Sequence, residues 1–314
     1  MARRRLLLLL KPLDMYPSHL SNGHSLKNFP QVLRHLDNRR MVHTDAINFC
    51  QSVLKKKLVD WEPIFRNNIS QQIRNVDLVV TVGGDGTLLQ ASHFMDDSVP
   101  VLGVNSDPTQ VDEVEEFHEH FDATRSTGFL CAATVNNFET VLDDILEGQM
   151  VPSELSRISL NVNSKPLSTH ALNDILIAHP CPAAMSRFSL RIEMGDQLCS
   201  PVAHYRSSGL RVSTAAGSTA AMLSAGGFPM PILSPDLQYM VREPILPSGA
   251  KSQLRHGSVR AGESMDVAWF CREGVTFIDG CHVFHTIRHG DVVRLASDAP
   301  VLKVFLAQQL QCLS

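Results

Sequence analysis

One aspartate lies inside a glycine-rich stretch that directly follows an apolar run. Residues 77–92 read DLVVTVGGDGTLLQAS, so Asp85 is flanked by Gly84 and Gly86. Glycines let the backbone turn sharply and let a phosphate approach main-chain N–H groups closely. The helical pattern that begins near Thr87 would add the positive end of a helix dipole. The stretch therefore favours a phosphate-binding loop between a strand and a helix.

The carboxylate of Asp85 does not suit a loop that only holds anions, because it would repel them. It suits a loop in which it binds a metal on the phosphate or accepts a proton from an attacking hydroxyl. The spacing matches neither G-x-G-x-x-G nor G-x-x-x-x-G-K-[ST], so neither a Rossmann pyrophosphate site nor a P-loop is indicated. For this stretch alone, a plain Gly-Asp-Gly turn remains an alternative.

Helix and strand patterns alternate in the chain around this loop. Helical spacing occurs at 30–36 and 43–57, and short apolar runs occur at 78–82 and 99–104. Strands that alternate with helices predict βαβ units and a parallel sheet. The five leucines that precede Lys11 predict a first buried strand of that sheet.

From about residue 157 the pattern changes to short alternating strands. RISLNVN and SRFSLRIEM carry apolar residues at every second position, and further short strands follow up to LKVFL. This spacing is typical of a β-sandwich. The expected fold is an N-terminal Rossmann-like parallel α/β domain over 1–126 and a C-terminal β-sandwich domain over 127–299. The tail, 300–314, is expected to pack back on the first domain.

The composition argues against several classes of protein. The 28 basic and 32 acidic residues give a formal net charge of −4, whereas general nucleic-acid binders carry a basic surplus. Seven cysteines without a CxxC spacing indicate reduced thiols. The leucine run is too short for a secretory signal, and no apolar run approaches a membrane span. We therefore expect a cytoplasmic protein without a membrane partner.

A histidine and cysteine cluster raises the question of a metal site. Cys281, His282 and His285 lie close together in the sequence CHVFHTI. The stretch alternates like a strand, so neighbouring side chains point to opposite faces. We therefore expect no metal held by these residues.

Three motifs together resemble the signatures of the NAD kinase family. They are GGDGT at 83–87, which lipid kinases also carry, ALNDILI at 171–177, and the most distinctive one, STAAGSTAAMLSAGG at 213–227. The resemblance covers most of the chain and implies the two-domain fold described above. It is strongest to the plant-type NADH kinase branch. That branch shares an acidic insertion, 106–126, which we expect on the surface.

The resemblance implies a role for individual residues. Asp85 would be the base that takes the proton from the 2′-hydroxyl of the adenosine ribose, which then attacks the γ-phosphate of ATP. Asn173 and Asp174 would hold the adenosine part of the dinucleotide, and Phe129 would wall the pocket. The other residues expected to bind the nucleotides are Gly83, Gly84, Gly86, Thr87, Asn105, Ser208, Ser218, Thr219, Ala220 and Ser224.

The chain departs from the family where the dinucleotide binds. Ser208 stands where the family usually has Asp, Ala215-Ala216 replaces Pro-Thr, and Ala221 replaces Tyr. A carboxylate would attract the positively charged oxidised nicotinamide ring, and serine does not. The resemblance and this loss of charge predict a kinase that prefers NADH and uses NAD⁺ less well.

Further expectations and two alternatives follow from the resemblance. ATP would be the phosphate donor, with Mg²⁺ or another divalent cation held by its phosphates. The family implies a homo-oligomer, with a dimer expected. A lipid kinase of the diacylglycerol or sphingosine type shares GGDGT, although the P-x-G-T-x-N-D segment of that branch is absent. A non-catalytic NAD(H)-binding protein of the same fold is the other alternative.

Overall fold

The structure, a computed structural model of the chain, describes residues 3–13, 30–194, 198–245, 255–307 and 310. These residues cluster in two compact units. The first runs to Ser153 and includes the chain again from Lys303, and the second covers Glu154–Leu302. The domain boundary expected at residue 126 falls inside the first unit and stays a prediction.

Helices and strands alternate in the first unit, whereas strands dominate the second. The described helices are α1 (Pro30–Lys56), α2 (Asp85–Ser92), α3 (Val111–Phe117), α4 (Phe138–Leu146) and α5 (Ala221–Ser224). The described strands are β1 (Arg4–Leu10), β2 (Val59–Phe65), β3 (Leu78–Gly83), β4 (Val101–Asn105), β5 (Ala133–Thr134), β6 (Ser153–Leu155), β7 (Ser159–Val162), β8 (Lys165–Pro166), β9 (Asp174–Ala178), β10 (Ser186–Met194), β11 (Leu198–Cys199), β12 (Ala203–Ser207), β13 (Gly209–Ser213), β14 (Leu237–Arg242), β15 (His256–Val259), β16 (Ser264–Trp269), β17 (Glu273–Ile278), β18 (Val283–Arg288), β19 (Val292–Ala296) and β20 (Leu302–Phe305).

A mainly parallel sheet organises the first unit. Among the described strands its order is β2-β1-β3-β4-β20-β6, and β5 pairs with β4. The pairs β1–β2, β1–β3, β3–β4 and β4–β20 are all parallel. The leucine run forms β1 because a strand in such a sheet is covered on both faces and needs no polar side. The predicted parallel sheet is confirmed.

One long helix, α1, replaces the two helical stretches expected at 30–36 and 43–57. Its buried side includes Ile47, Cys50 and Leu54, which recur with helical spacing. These residues share a core with the apolar side chains of β1, β3 and β4. The helix therefore covers one face of the sheet, as a crossover helix in an α/β unit does.

Two antiparallel sheets form the second unit. One has the order β11-β10-β16-β19-β7-β8, with β12 paired to β10, and the other has the order β15-β14-β13-β9-β17-β18. Alternate residues of both sheets, among them Phe188, Val212 and Trp269, share one core. Such an arrangement is a β-sandwich, as the alternating pattern predicts. None of the helices among the described residues is long and apolar enough to cross a membrane.

Candidate active site

The glycine loop lies at the carboxyl edge of the parallel sheet. β3 ends at Gly83, and α2 begins at Asp85, two residues earlier than the pattern suggests, with Gly84 as its N-cap. A Cβ on Gly83 would lie 2.1 Å from Thr87 Oγ1, and one on Gly84 would lie 2.2 Å from Ser126 Oγ. Both positions therefore exclude side chains, and the loop packs closely against its surroundings.

Gly86 differs from the two glycines before it, because it faces open space. A Cβ there would meet only Arg66 Nη1, at 3.8 Å. The N-terminal turn of α2 is thus accessible on this side, where its N–H groups and dipole favour an anion. Thr87 is buried beneath it and closes the turn through its N–H, which donates to Gly84 O at 2.9 Å.

The carboxylate of Asp85 is fixed by two backbone amides. The N–H of Phe129 donates to Oδ2 at 2.9 Å, and the N–H of Leu130 donates to Oδ1 at 2.8 Å. The thiol of Cys131 lies 3.8 Å from Oδ1, and burial together with the Asp85 charge raises the pKa of this thiol well above its usual value. Asp85 is half-buried, and its Oδ2, which accepts from Phe129 N, has a further lone pair with which to accept a proton.

Two basic residues that sequence pattern alone does not reveal lie beside the loop. Lys11 follows β1, and its Cβ would lie 3.2 Å from a Cβ on Gly83. Arg66 follows β2 and donates from Nη1 to Thr87 Oγ1 at 3.3 Å. Because β1, β2 and β3 are parallel, their carboxyl ends bring both cations to the same edge of the sheet as the loop.

The pKa of Lys11 is lowered to about 8. Burial is the main cause, and the positive charges of Arg39 and Arg66 add to it, while Asp107 acts in the opposite direction. Desolvation and like charges both disfavour the ammonium form. A phosphate placed beside Lys11 would add a negative charge that favours its ammonium form.

Asn105, an expected nucleotide-binding residue, connects the loop region to the acidic insertion. Its side chain is buried, donates to Ser126 O at 3.1 Å, and accepts from Asp107 N at 3.4 Å. It also leaves no space for a side chain at position 128, because a Cβ on Gly128 would lie 2.3 Å from Asn105 Nδ2. The side chain of Asn105 therefore holds the segment that leads to Phe129.

In the second unit, the Asn173-Asp174 pair is held by the carboxylate of Asp279. Asp279 Oδ2 accepts from Leu172 N at 2.8 Å, and Oδ1 accepts from Asn173 N at 2.7 Å and Asp174 N at 3.0 Å. Asp279 itself has a φ of 50°, a left-handed conformation that Asp and Asn tolerate better than most residues. The loop before β9 is therefore fixed through its backbone, which leaves the side chains of the pair available.

The Asp174 carboxylate forms an ion pair with Arg211 of the neighbouring strand β13. Burial raises the pKa of Asp174 to about 6, with the Asp279 charge contributing, although Arg211 opposes the shift. Among the described residues, the buried atoms Asn173 Oδ1 and Arg211 Nε have no hydrogen-bond partner. Buried polar atoms are almost always paired, so these two indicate a place for a ligand.

The third motif packs directly on this pair. A Cβ on Gly217 would lie only 2.1 Å from Asn173 O, so no other residue fits there. Thr214 N donates to the same carbonyl at 2.9 Å, and the hydroxyl of Ser213 donates to it at 3.1 Å. The second and third sequence motifs thus form one structural group.

The remaining expected residues lie around this group with different exposures. The Ser218 hydroxyl is buried and occupied, because it donates to Ala215 O at 2.7 Å and accepts from Met230 N at 2.8 Å. Thr219 is half-buried, and Ala220 and Ser224 are exposed. Ser208 is half-buried just before β13.

A cavity of about 340 Å³ lies in the second unit beside the third motif. Ser224 and Ala221 line it together with the three arginines Arg211, Arg242 and Arg255 and with Glu243. Arginine is the residue best suited to bind planar anionic groups such as phosphates. The structure thus groups the loop residues with Asn105 and Phe129 in the first unit, and the other expected residues in the second.

No metal-binding cluster is formed by the described parts of the chain. His285 belongs to β18, whereas Cys281 and His282 precede that strand. Across the described residues, no group of three or more His, Cys, Asp or Glu side chains could hold a metal ion.

Comparisons with known proteins identify relatives over nearly the full chain. A family model described as the ATP-NAD kinase N-terminal domain matches residues 18–107. A protein named probable NADH kinase from Oryza sativa subsp. japonica is 54% identical and covers 99% of this chain and 98% of its own. An NADH kinase from Arabidopsis thaliana is 62% identical and covers 98% of this chain and 97% of its own.

Solved structures with the same fold confirm the expected architecture. An NAD kinase from Archaeoglobus fulgidus in complex with ATP has a TM-score of 0.68 at 20% identity, covering 98% of this chain and 96% of its own. A yeast NADH kinase complexed with NADH has a TM-score of 0.65 at 15% identity, covering 96% and 84%. These likenesses show the fold, a parallel α/β unit with a β-sandwich.

Replacing Asp279 by Asn tests whether its carboxylate holds the Asn173-Asp174 pair. Asparagine tolerates the same left-handed backbone, but its NH₂ group would face an N–H that has lost its acceptor. An unsatisfied buried donor costs about 1–3 kcal/mol. We expect a lower melting temperature and faster hydrogen exchange of the amides of 172–174, measured by mass spectrometry.

Asp291→Asn is the matched control for this change. Asp291 accepts from Arg288 N at 2.7 Å in an exposed turn of the same unit. This variant should leave the exchange of 172–174 at the wild-type rate. Equal exchange of 172–174 in both variants would mean that the Asp279 carboxylate does not hold the loop.

Proposed function

The chain belongs to the NAD kinase family, and on that premise we propose that it phosphorylates the 2′-hydroxyl of the adenosine ribose of NADH. ATP donates the γ-phosphate, and the products are NADPH and ADP. NAD⁺ is the weaker substrate and gives NADP⁺. The observation that carries this proposal is the orientation of the Asp85 carboxylate by two backbone amides beside an open, cationic glycine loop.

Asp85 acts as the general base in this mechanism. A hydroxyl is a poor nucleophile until its proton has an acceptor, and a carboxylate within hydrogen-bond reach supplies one. The two amides take one lone pair on each oxygen and fix the plane of the carboxylate, so a remaining lone pair has a defined direction. The activated oxygen then attacks the γ-phosphorus in line with the leaving oxygen of ADP.

The loop and its two cations hold the phosphates of ATP. Backbone N–H groups near Gly86 approach the phosphates directly, and Lys11 and Arg66 neutralise charge that moves toward ADP during transfer. A divalent cation such as Mg²⁺ enters with ATP as part of the substrate, held mainly by the phosphate oxygens. Positioning and charge neutralisation are the main requirements of phosphoryl transfer.

The second unit holds the dinucleotide. Asn173 Oδ1, which has no partner among the described residues, accepts from the adenosine part, and the Asp174 carboxylate accepts from ribose hydroxyls. The ion pair with Arg211 keeps that carboxylate charged and oriented despite its burial. Thr219, Ala220 and Ser224 of the same unit also contact the nucleotide.

The preference for NADH follows from the charges near the third motif. Ser208 supplies no negative charge, and three arginines with a single glutamate line the neighbouring cavity. A positive environment disfavours the cationic oxidised nicotinamide and leaves the neutral reduced ring unaffected. The relatives of 54% and 62% identity carry the name NADH kinase, which supports the same preference.

Two further features belong to the proposal. The protein forms a homo-oligomer, a dimer as the expected form, through its β-sandwich unit, where the exposed apolar side chains Val202 and Phe270 line one cavity and would be buried against a second copy. The compartment is the cytoplasm, where the cysteine thiols would stay reduced.

Asp85→Asn tests the role of the base. Asparagine has nearly the same size but cannot accept the proton, so kcat should fall by roughly 10²–10⁴-fold while dinucleotide binding persists. Transfer from ATP to NADH is measured with an assay for NADPH, and binding is measured by calorimetry. Unchanged kcat would contradict the role of Asp85, and a wild-type protein that binds NADH without transfer would be the non-catalytic alternative.

The lowered pKa of Lys11 predicts a pH dependence of ATP use. Below a pH of about 8 Lys11 is a cation, and above it the group loses its proton, so kcat/KM for ATP should fall as the pH rises through about 8. Lys11→Arg keeps its charge at every accessible pH and should remove this fall. Rate profiles from pH 6.5 to 9.5 check this, and the same fall in both proteins would exclude Lys11 as its cause.

Ser208→Asp tests the preference for the reduced dinucleotide. A carboxylate at this position attracts the oxidised ring, so the kcat/KM ratio of NADH to NAD⁺ should drop roughly fivefold to tenfold. Ser208→Asn, which is uncharged and similar in size to Asp, is the matched control and should leave the ratio near the wild-type value. A wild-type protein that strongly prefers NAD⁺ would refute this part of the proposal.

A further inference from the structure

We propose that Arg125 is a positioning residue for phosphoryl transfer: it anchors the acidic insertion, 106–126, on α1 and thereby sets the two backbone amides that orient the Asp85 carboxylate. The proposal rests on the role of Asp85 as the base of the proposed kinase. It assigns a function to the insertion, which carries none of the residues expected to touch a nucleotide.

The guanidinium of Arg125 is almost completely buried, with 5% of its side chain exposed. It donates to Glu113 from two nitrogens, at 2.7 and 2.8 Å, and to Asp107 Oδ1 at 2.7 Å. A fourth bond goes to Asn38 Oδ1 at 2.8 Å. The forked bond to Glu113 uses the planar geometry that only arginine offers.

The same network fastens the insertion to α1. Arg39 of α1 donates to Asp107 Oδ2 at 2.9 Å, and His35 of α1 lies 3.1 Å from Glu113 Oε1. The hydrogen bonds from Arg125 are the main cause that lowers the pKa of Glu113, and His35 contributes. Two acidic residues of the insertion therefore contact both Arg125 and the helix.

The chain leads directly from Arg125 to the glycine loop. Ser126 N donates to Asp107 O at 3.0 Å, and Ser126 O accepts from Asn105 Nδ2 at 3.1 Å. The Ser126 hydroxyl oxygen packs so closely on Gly84 that a Cβ there would lie 2.2 Å away. Ser126, the last residue of the insertion, thus contacts both Asp107 and the glycine loop.

The turn after Ser126 aims the two amides at Asp85. Gly128 adopts a φ of 63°, a left-handed conformation that favours glycine. A side chain at this position would also collide with Asn105. Phe129 N and Leu130 N then reach the two carboxylate oxygens at 2.9 and 2.8 Å. A shift of the Arg125 anchor would move this turn and turn the carboxylate away from the ribose hydroxyl.

Loss of Arg125 should affect the rate more than substrate binding. Without its guanidinium, Asp107 keeps Arg39 and Glu113 keeps His35, but the two carboxylates lose the buried cation that joins them to each other and to the chain just before Ser126. The insertion then holds the turn that follows Ser126 less firmly. Catalytic geometry is sensitive, since a misplacement of about 1 Å can cost on the order of 10²-fold in rate. The guanidinium donates its described hydrogen bonds to Asp107, Glu113 and Asn38 and not to the phosphate-binding cations, so KM should change less than kcat.

The test compares Arg125→Gln with Arg125→Lys and with a matched control. For Arg125→Gln we expect kcat to fall roughly 30-fold to 100-fold, with KM for ATP and NADH within about twofold of wild type. Lysine keeps the charge but not the fork, so Arg125→Lys should restore part of the rate. Arg191→Gln removes a half-exposed arginine that is paired with Asp266 and Glu193 in the second unit, and it should leave kcat unchanged.

A milder pair of variants keeps the proposal testable if Arg125→Gln does not fold. Glu113→Gln removes one partner of the fork and should lower kcat roughly fivefold to tenfold. Glu116→Gln changes an exposed residue of the same helix, α3, and should behave as wild type. Equal kcat in the two glutamate variants would overturn the proposal.

Hydrogen exchange of the amides of Phe129 and Leu130 separates positioning from general loss of stability. These amides should exchange faster in Arg125→Gln at a temperature far below its melting point, whereas the core strand β3 should keep its wild-type protection. Wild-type exchange at both amides, or a change only in KM, would overturn the proposal. If the wild-type protein transferred no phosphate to either dinucleotide, the proposed function would fail, and the exchange data alone would still decide whether Arg125 sets the amides.

Discussion

The interaction on which the first unit depends is the pair of hydrogen bonds between the Asp85 carboxylate and the amides of Phe129 and Leu130. It joins a residue at the start of α2 to a segment more than forty positions later in the chain. A carboxylate at a helix N-terminus is already stabilised by the helix dipole. The two added bonds give this carboxylate a single orientation, which a proton acceptor needs and a plain turn residue does not.

The second unit uses acidic residues in two different ways. Asp279 accepts three backbone N–H groups and serves to shape the loop, while Asp174 keeps its side chain beside Arg211 with a pKa raised to about 6 by burial. The Asp279 carboxylate therefore fixes the backbone of the loop, and the Asp174 carboxylate is the one proposed to contact the dinucleotide. The close packing of Gly217 on Asn173 joins the second and third motifs into one structural group.

Local pattern predicts a large part of this fold, because burial imposes periodicity on the chain. The leucine run of β1 and the alternating β10 have the structure that their patterns indicate. Strand β2 is not predicted by its pattern, because it is mostly exposed and contains Pro63, which is unfavourable in sheet interiors. Arg66, which follows this strand, is not predicted by pattern for the same reason. The approach of Lys11 to the loop depends on the pairing of β1 with β3, which pattern alone does not specify.

The contacts of the site residues are also not predictable from the sequence pattern. The motifs point to Asp85 and Asp174, but their bonds to Phe129 and Arg211 depend on tertiary contacts between distant segments. The acidic insertion illustrates the same limit. Its charges suggest a solvated surface segment, whereas Asp107 is buried and pairs with Arg125 and Arg39.

The most direct measurement of the central claim follows the phosphate itself. The protein is incubated with ATP labelled at the γ-phosphate and with NADH, the 2′-deoxyadenosine analogue of NADH, or diacylglycerol. The account predicts that label appears in NADPH and in neither of the other two acceptors, because only the ribose 2′-hydroxyl is activated. Label in the lipid, label in the 2′-deoxy analogue, or no transfer to NADH would contradict it.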